Sequence, residues 1–268
     1  MNSDRASLLD VADGPLDHAV VSFATLPSAA PSFDEPAGVA PRGTLILLTG
    51  RGEPTTVYQR FGRRIASDAY RVRIVETRLD DLDATRLRVA ALIEDDELPR
   101  PKILAGSDAG AVYAAALAGE LEVDAVVLAG LALSEGDGPD PANTFDDELE
   151  LRTACPAHRG VLTGEPALRR GRLADPLPAR LAEAVDPPAV PTLVVHGADD
   201  AVAPAAEALA SLSGAPGVEA VLIAGGRHDI LNDVTHRSVA ATIVLFLERL
   251  RLGPDLPAIV LGADVDVA

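Results

Sequence analysis

The stretch LAGSDAGAV, residues 104–112, decides the reading of the fold. Its spacing is Gly-x-nucleophile-x-Gly, the glycine frame of a sharp strand-to-helix turn that presents one side chain at its apex. Gly106 and Gly110 are the two glycines, and Asp108 holds the apex where serine is usual. The run KILAG (102–106) before it is apolar and strand-like. Residues 109–119 after it are small and apolar, and they suit a helix packed closely on a sheet.

The same alternation extends to both sides. TLILLTG (44–50), YRVRIVE (70–76), DAVVLAGLAL (124–133), TLVVHG (192–197) and EAVLIAG (219–225) read as buried parallel strands. HAVVSFATL (18–26) reads as a further strand, and the Pro-, Ala- and Gly-rich 27–43 as a loop or long hairpin connection. Helical patterns lie between the strands. Val57, Phe61 and Ile65 recur every four residues in 54–69, with Pro54 suited to a first turn. Ala84, Leu87 and Ala91 do the same in 81–94, and Val239, Ile243, Phe246 and Leu250 share a face in 234–251. Residues 204–213 complete the helical set. Strands alternating with helices predict an α/β fold, with a mostly parallel twisted sheet and helices on both faces.

Residues 134–190 break the rhythm. They carry no clear strand, begin acidic and Gly/Pro-rich, and continue into an arginine-rich stretch. An insertion of this size is expected to be a lid or functional loop. Its arginines (Arg152, Arg159, Arg169, Arg170 and Arg172) are read as a solvated face pairing with the acidic run Asp146, Asp147, Glu148 and Glu150. The competing reading is recognition of an anionic substrate. The tail after residue 252 is apolar, with no role legible in it.

Composition narrows the function classes. The 268 residues suit one domain, with a core at about 18–133 and 191–251. The net charge of −18 repels a phosphate backbone and anionic membrane surfaces, so neither nucleic acid nor membrane is expected as a partner. The lone cysteine, Cys155, excludes an internal disulfide. No secretory h-region and no long apolar run are visible, which makes a cytoplasmic protein the expectation. Cys155 and His158 form an isolated CxxH pair, too sparse for a metal site.

Three further motifs flank the glycine frame in order. LLTGRGEPTTVYQRFGRRIASDAYRV (47–72) comes before it; TLVVHGADDAVAP (192–204) and GGRHDILNDVTHRSVAATIVLFLERL (225–250) come after it. Together the four resemble the α/β-hydrolase superfamily, particularly its monoglyceride lipase and lysophospholipase-like branch, over roughly residues 43–251 apart from the lid. Thr49-Gly50-Arg51-Gly52-Glu53 is similar to that branch's His-Gly-x-Gly-Glu, with Thr49 in place of histidine. The resemblance implies an α/β-hydrolase fold with a short lid, and a hydrolase acting on a small organic substrate without metal or organic cofactor. It implies His228 as general base, Asp200 as its orienting acid, and the amides of Arg51 and Ala109 as the oxyanion hole. Asp199 is the other candidate acid, and His196, at a strand end, is read as structural.

Asp108 leaves three readings open. It can be a carboxylate nucleophile that attacks an sp3 carbon and forms an ester, which His228 then hydrolyses through water. The superfamily branches that work this way hold halide with tryptophan or protonate an epoxide with lid tyrosines. This chain has no tryptophan, and Tyr58, Tyr70 and Tyr113 lie outside the lid. Alternatively Ser107 is the nucleophile, although strand alternation turns it away from His228. In the third reading Asp108, Asp200 and His228 form an unreactive ion-paired cluster in a ligand-binding or scaffold protein, or Asp108 acts as a base or electrostatic element in a non-hydrolytic reaction such as a lyase step.

Overall fold

A computed structural model describes residues 31–132, 144–182 and 186–262. One sheet carries β1 (Ser32–Phe33), β2 (Gly43–Leu48), β3 (Tyr70–Val75), β4 (Lys102–Ser107), β5 (Ala125–Ala129), β6 (Thr192–Gly197) and β7 (Val218–Ile223). Their order across the sheet is β1-β3-β2-β4-β5-β6-β7. β1 pairs antiparallel with β3, and the other pairings among described residues are parallel. β2, β4, β5 and β6 are buried along their whole length, as their unbroken apolar runs require. The expected strand at 18–26 lies outside the described residues. The 27–43 segment is not loop throughout, since it contributes the two residues of β1.

Successive side chains on each strand feed opposite cores. Leu45, Leu47, Ile103, Val127, Leu193 and Val195 face α1 (Gln59–Ser67) and α8 (His236–Leu252). Ile46, Leu48, Leu104, Val126, Leu128 and Val194 face α2 (Leu82–Glu94) and α3 (Ala109–Ala118). Pro54 and one tight turn at Thr55–Tyr58 lead into α1, which buries Phe61 and Ile65. α8 buries Val239, Ile243, Phe246 and Leu250, the face the sequence predicts.

α2 corrects its expected face. Asp81 caps it by accepting from the Ala84 amide at 3.0 Å. The stripe it buries is Leu82, Thr85, Val89 and Ile93, while Leu87 is 65% exposed. Both stripes have helical spacing; the one with the larger branched side chains removes more apolar area from water and wins.

The connection from β5 to β6 holds α4 (Phe145–Arg152), α5 (Pro156–Gly164) and α6 (Ala179–Ala182). A reciprocal cap between Thr144 and Asp147 starts α4, and Pro156 starts α5. The expected helix at 204–213 is instead a short α7 (Ala205–Ala208) followed by a tight turn at Ala210–Leu212. Among the described residues no helix is long and apolar enough to cross a membrane.

Candidate active site

Asp108 sits where β4 turns into α3, with φ +54° and ψ −123°, a backbone conformation that costs a non-glycine residue energy. The flanking glycines are steric necessities. A Cβ on Gly106 would lie 2.1 Å from the Gly110 carbonyl oxygen, and one on Gly110 would lie 2.5 Å from that of Leu48. The turn is therefore held between β2 and the first turn of α3. Ala109 opens α3, so its N–H belongs to the helix's unpaired first turn.

Asp108 is 2% exposed, and its carboxylate is tightly held. The Arg51 amide donates to Oδ2 at 2.7 Å. The Arg51 side chain donates through Nε to Oδ2 at 2.9 Å and through Nη2 to Oδ1 at 2.8 Å. His228 Nε2 lies 3.1 Å from Oδ1. That contact is an ion pair out of line with the ring N–H, and Nε2 makes no hydrogen bond among the described residues.

On its other side His228 Nδ1 meets Asp200 Oδ2 at 2.8 Å. Asp200 Oδ1 accepts from the amides of Val202 and Ala203 at 2.9 and 3.0 Å, which fixes the carboxylate. His196 Nε2 lies 3.2 Å from Asp200 Oδ2 and 2.7 Å from the Ala203 carbonyl, supporting the same turn. Asp199 is exposed. The structure thus brings Asp108, His228, Asp200 and the Arg51 amide together. Ser107 is buried with its hydroxyl against Tyr58. Thr49 turns its hydroxyl to the Thr77 amide at 3.2 Å.

Electrostatics follow from this packing. Burial would raise the Asp108 pKa, but the Arg51 charge and the His228 contact hold it well below the usual carboxylate range. Burial would lower that of His228, but the Asp200 charge and the Asp108 contact push it up to about 10. Asp200 is likewise held low against its own desolvation, chiefly by the His228 charge. At rest the site is a carboxylate, an imidazolium and a second carboxylate, with Arg51 bound to the first.

A second buried network lies beside it, and the sequence reading missed it. Arg152, at the end of α4, is not on a solvated face; it is wholly buried. It donates to Glu148 at 3.0 Å, to Glu53 at 3.2 Å, to Asp229 at 3.5 Å and to the Arg51 carbonyl at 3.1 Å. His158 Nε2 meets Asp229 at 3.1 Å, and Tyr58 donates to Glu53. Burial, with the Asp229 charge, pushes Glu53 up to about 8 despite Arg152. Glu53, His158 and Asp229 offer ligand atoms within 4.8 Å of one another, but Arg152 already supplies the positive charge there. Of the other arginines, Arg159 pairs with Glu150 of the expected acidic run, whereas Arg169 pairs with Glu76, Arg172 with Asp175, and Arg170 stacks over Phe145. A separate cavity of about 350 Å³ adjoins edge strand β7; it is lined by residues such as Leu209, Leu212 and Val218 and has no titratable group.

No protein-family model matches the sequence. No curated protein sequence matches it either. Solved structures do. A soluble variant of monoglyceride lipase from Saccharomyces cerevisiae matches at 14% identity and a TM-score of 0.66, over 85% of this chain and 98% of that one. The Paleococcus ferrophilus monoacylglycerol lipase matches at 16% identity and 0.60, over 83% and 97%. A meta-cleavage product hydrolase from Pseudomonas fluorescens matches at 17% and 0.61, over 81% and 93%. Together with the mostly parallel sheet and the strand order, these matches give the chain the α/β-hydrolase fold.

Proposed function

We propose that the chain is a hydrolase acting on a small organic molecule. Asp108 is the nucleophile, His228 the base, Asp200 the acid that orients it, and the amides of Arg51 and Ala109 the oxyanion hole. The β5–β6 connection serves as the lid. One observation carries this reading: the two oxygens of Asp108 are set to different tasks. Oδ2 rests on the Arg51 amide at 2.7 Å, while Oδ1 lies 3.1 Å from His228 Nε2.

Oδ1 attacks an sp3 carbon, and the leaving group departs with the old bonding pair. Oδ2 is then the ester carbonyl oxygen, already on its donor. Water gives a proton to His228 and attacks Cγ; the oxyanion forms at Oδ2. Collapse expels the substrate oxygen as an alkoxide, which takes the proton of the new Asp108 carboxyl group, so the Asp108 carboxylate and the His228 imidazolium both return. The resting imidazolium does not block this sequence. Its high pKa rests partly on the Asp108 contact and charge, which esterification removes. The Arg51 charge stays behind and opposes a protonated ring. The imidazolium passes its proton to the departing group, and His228 thus becomes a base at the step that uses one. Attack on an ester carbonyl would give a mixed anhydride, so esterase chemistry at Asp108 is not part of the proposal.

A second reading has its own observation. Arg51 grips both Asp108 oxygens in a site closed to solvent, which also suits a non-catalytic ion-paired cluster. Single turnover in oxygen-18 water separates the two, using a panel of small haloalkanes, epoxides, lactones and esters. Asp108 as nucleophile places the label in the peptide that contains it. Turnover that labels only product removes that role from Asp108. Fluorophosphonate labelling of Ser107 would move the chemistry to the neighbouring residue.

A further inference from the structure

We propose that the free edge of β7 is a self-association surface, which pairs antiparallel with β7 of a second copy of this chain. The inference is independent of the chemistry at Asp108.

Among the described residues β7 ends the sheet, with β6 on one side and no strand on the other. The carbonyls of Gly217 and Ile223 accept from the amides of Thr192 and Ala198, on the β6 side. Backbone groups alternate sides along a strand. Those of Glu219 and Val221 therefore face β6 as well, while the N–H and C=O of Ala220 and Leu222 point outward.

Protein sheets usually blunt such an edge with lysine, proline, a bulge or a covering segment. VEAVLI (218–223) has no lysine or proline, and its register with β6 is unbroken. Its one charge, Glu219, is taken up by Arg249 of α8 at 2.8 Å. Ala220 and Leu222 are exposed on the other face, Leu222 by 54%. Beside them lies the cavity of about 350 Å³, lined by Val218, Ala220, Leu209 and Leu212.

A strand following α8 in the same chain does not suit this edge. Arg249 also donates to the carbonyls of Leu256 and Pro257, which ties the segment after α8 to the Glu219 end of β7. From that end a strand could only run parallel to β7. The connections from β3 to β4, β4 to β5 and β6 to β7 pack on the Ile46 and Leu48 face, whereas α8 packs on the Leu45 and Leu47 face. A parallel strand reached through α8 would close a crossover of the opposite hand, which sheets almost never use.

A second copy fits in register, shape and charge. A two-fold axis at Val221 sets Ala220 of each copy opposite Leu222 of the other, so each outward N–H meets an outward C=O. The large Leu222 side chain then lies against the small Ala220 and the cavity beside it. Val221 meets its own copy on the opposite face. Because Arg249 neutralises Glu219, neither strand presents a net charge to the other. The charge of −18 on each chain acts at longer range and opposes association, so salt should strengthen the pair.

Sedimentation velocity on the full chain tests this. At about 0.15 M salt a reversible monomer–dimer equilibrium is expected, with a dissociation constant on the order of 10 μM. Raising salt from about 0.05 to about 0.5 M should tighten it by about 10-fold. Leu222→Glu, at an exposed position, should abolish the dimer. So should Ala220→Pro, which removes an N–H that β6 does not use. Leu87→Glu, exposed on α2, should leave the dimer intact. Val221→Cys should oxidise in air to a linked dimer, because the facing Cα atoms lie about 4.5 Å apart in such a pair. Ile223→Cys, which faces Glu219 of the second copy, should not. Circular dichroism checks folding; should Ala220→Pro not fold, Leu222→Glu and the two cysteine variants decide. Amide exchange at Ala220 and Leu222 identifies the occupant. Protection that grows with protein concentration supports the second copy. Protection at every concentration in a monomer assigns the edge to the chain's own segment. A monomer with fast exchange up to about 200 μM leaves the edge to a different protein. Either of these results overturns the proposal, as does a dimer that survives Leu222→Glu.

Discussion

Raising the pH from 7 to 10 should cost the wild-type protein more stability than it costs His228→Asn. In the fold the imidazole titrates at about 10, against 6.5 for an ordinary histidine. The folded state therefore binds this proton more tightly than the unfolded chain does. The stabilisation is fully present below the unfolded value and disappears as pH rises through the folded one. At roughly 1.4 kcal/mol per tenfold change in proton affinity, the full effect is on the order of 5 kcal/mol. About 4 kcal/mol of it remains at pH 7 and under about 0.5 kcal/mol at pH 10, so the loss across this window is roughly 3.5 kcal/mol. Glu53, raised to about 8, adds a loss of the same sign, but it is common to both proteins and cancels in the comparison. Urea unfolding at the two pH values, at one ionic strength, gives four free energies and one difference of differences. A wild-type loss exceeding that of the variant by about 3 kcal/mol is expected. Parallel losses would mean that His228 is not held as an imidazolium between Asp108 and Asp200, and the electrostatic account of the site would fall with it.

Other perturbations address other parts. Arg152→Met leaves Glu148, Glu53 and Asp229 buried without their shared cation; a loss of about 3–5 kcal/mol in urea unfolding is expected, with faster proteolysis of the α4–α5 region. Asp108→Ser keeps the turn and the Arg51 amide but strips Arg51 of its carboxylate. The variant should be less stable, its His228 should titrate lower by NMR, and it should gain fluorophosphonate labelling that wild type lacks. Val89→Ala should cost about 2 kcal/mol and Leu87→Ala under about 0.5 kcal/mol, a direct test of which α2 face is inside.

Legibility in the sequence tracked how local each cause was. The strands could be read because a strand buried on both faces is apolar at every position, as in TLILL and TLVV. Faces of α1 and α8 could be read because each has one bulky stripe. α2 offers two stripes of correct spacing, and the buried one is told from the other only by the larger size of its side chains. The glycine frame could be read because Gly106 and Gly110 touch each other across the turn, a collision written into five residues. The partners of Asp108 across the fold were legible only as a resemblance, for they come from loops 57 to 120 residues away.

Arg152 was illegible for a different reason. A Glu148–Arg152 pair four residues apart looks the same on a wet helix face as in a dry core. The clue was indirect: Asp229 follows His228 and Glu53 lies two residues from Arg51, and two acids brought to one place call for a cation from elsewhere. The same reasoning applies at the apex. Replacing a neutral hydroxyl by a carboxylate adds one buried negative charge, which the fold must meet with a positive one. The position between Gly50 and Gly52 carries arginine, paired with Asp108. Asp108 and Arg51 are thus one change in terms of charge. Neither is intelligible alone, and any chemistry that consumes the charge of Asp108 must answer for the one on Arg51.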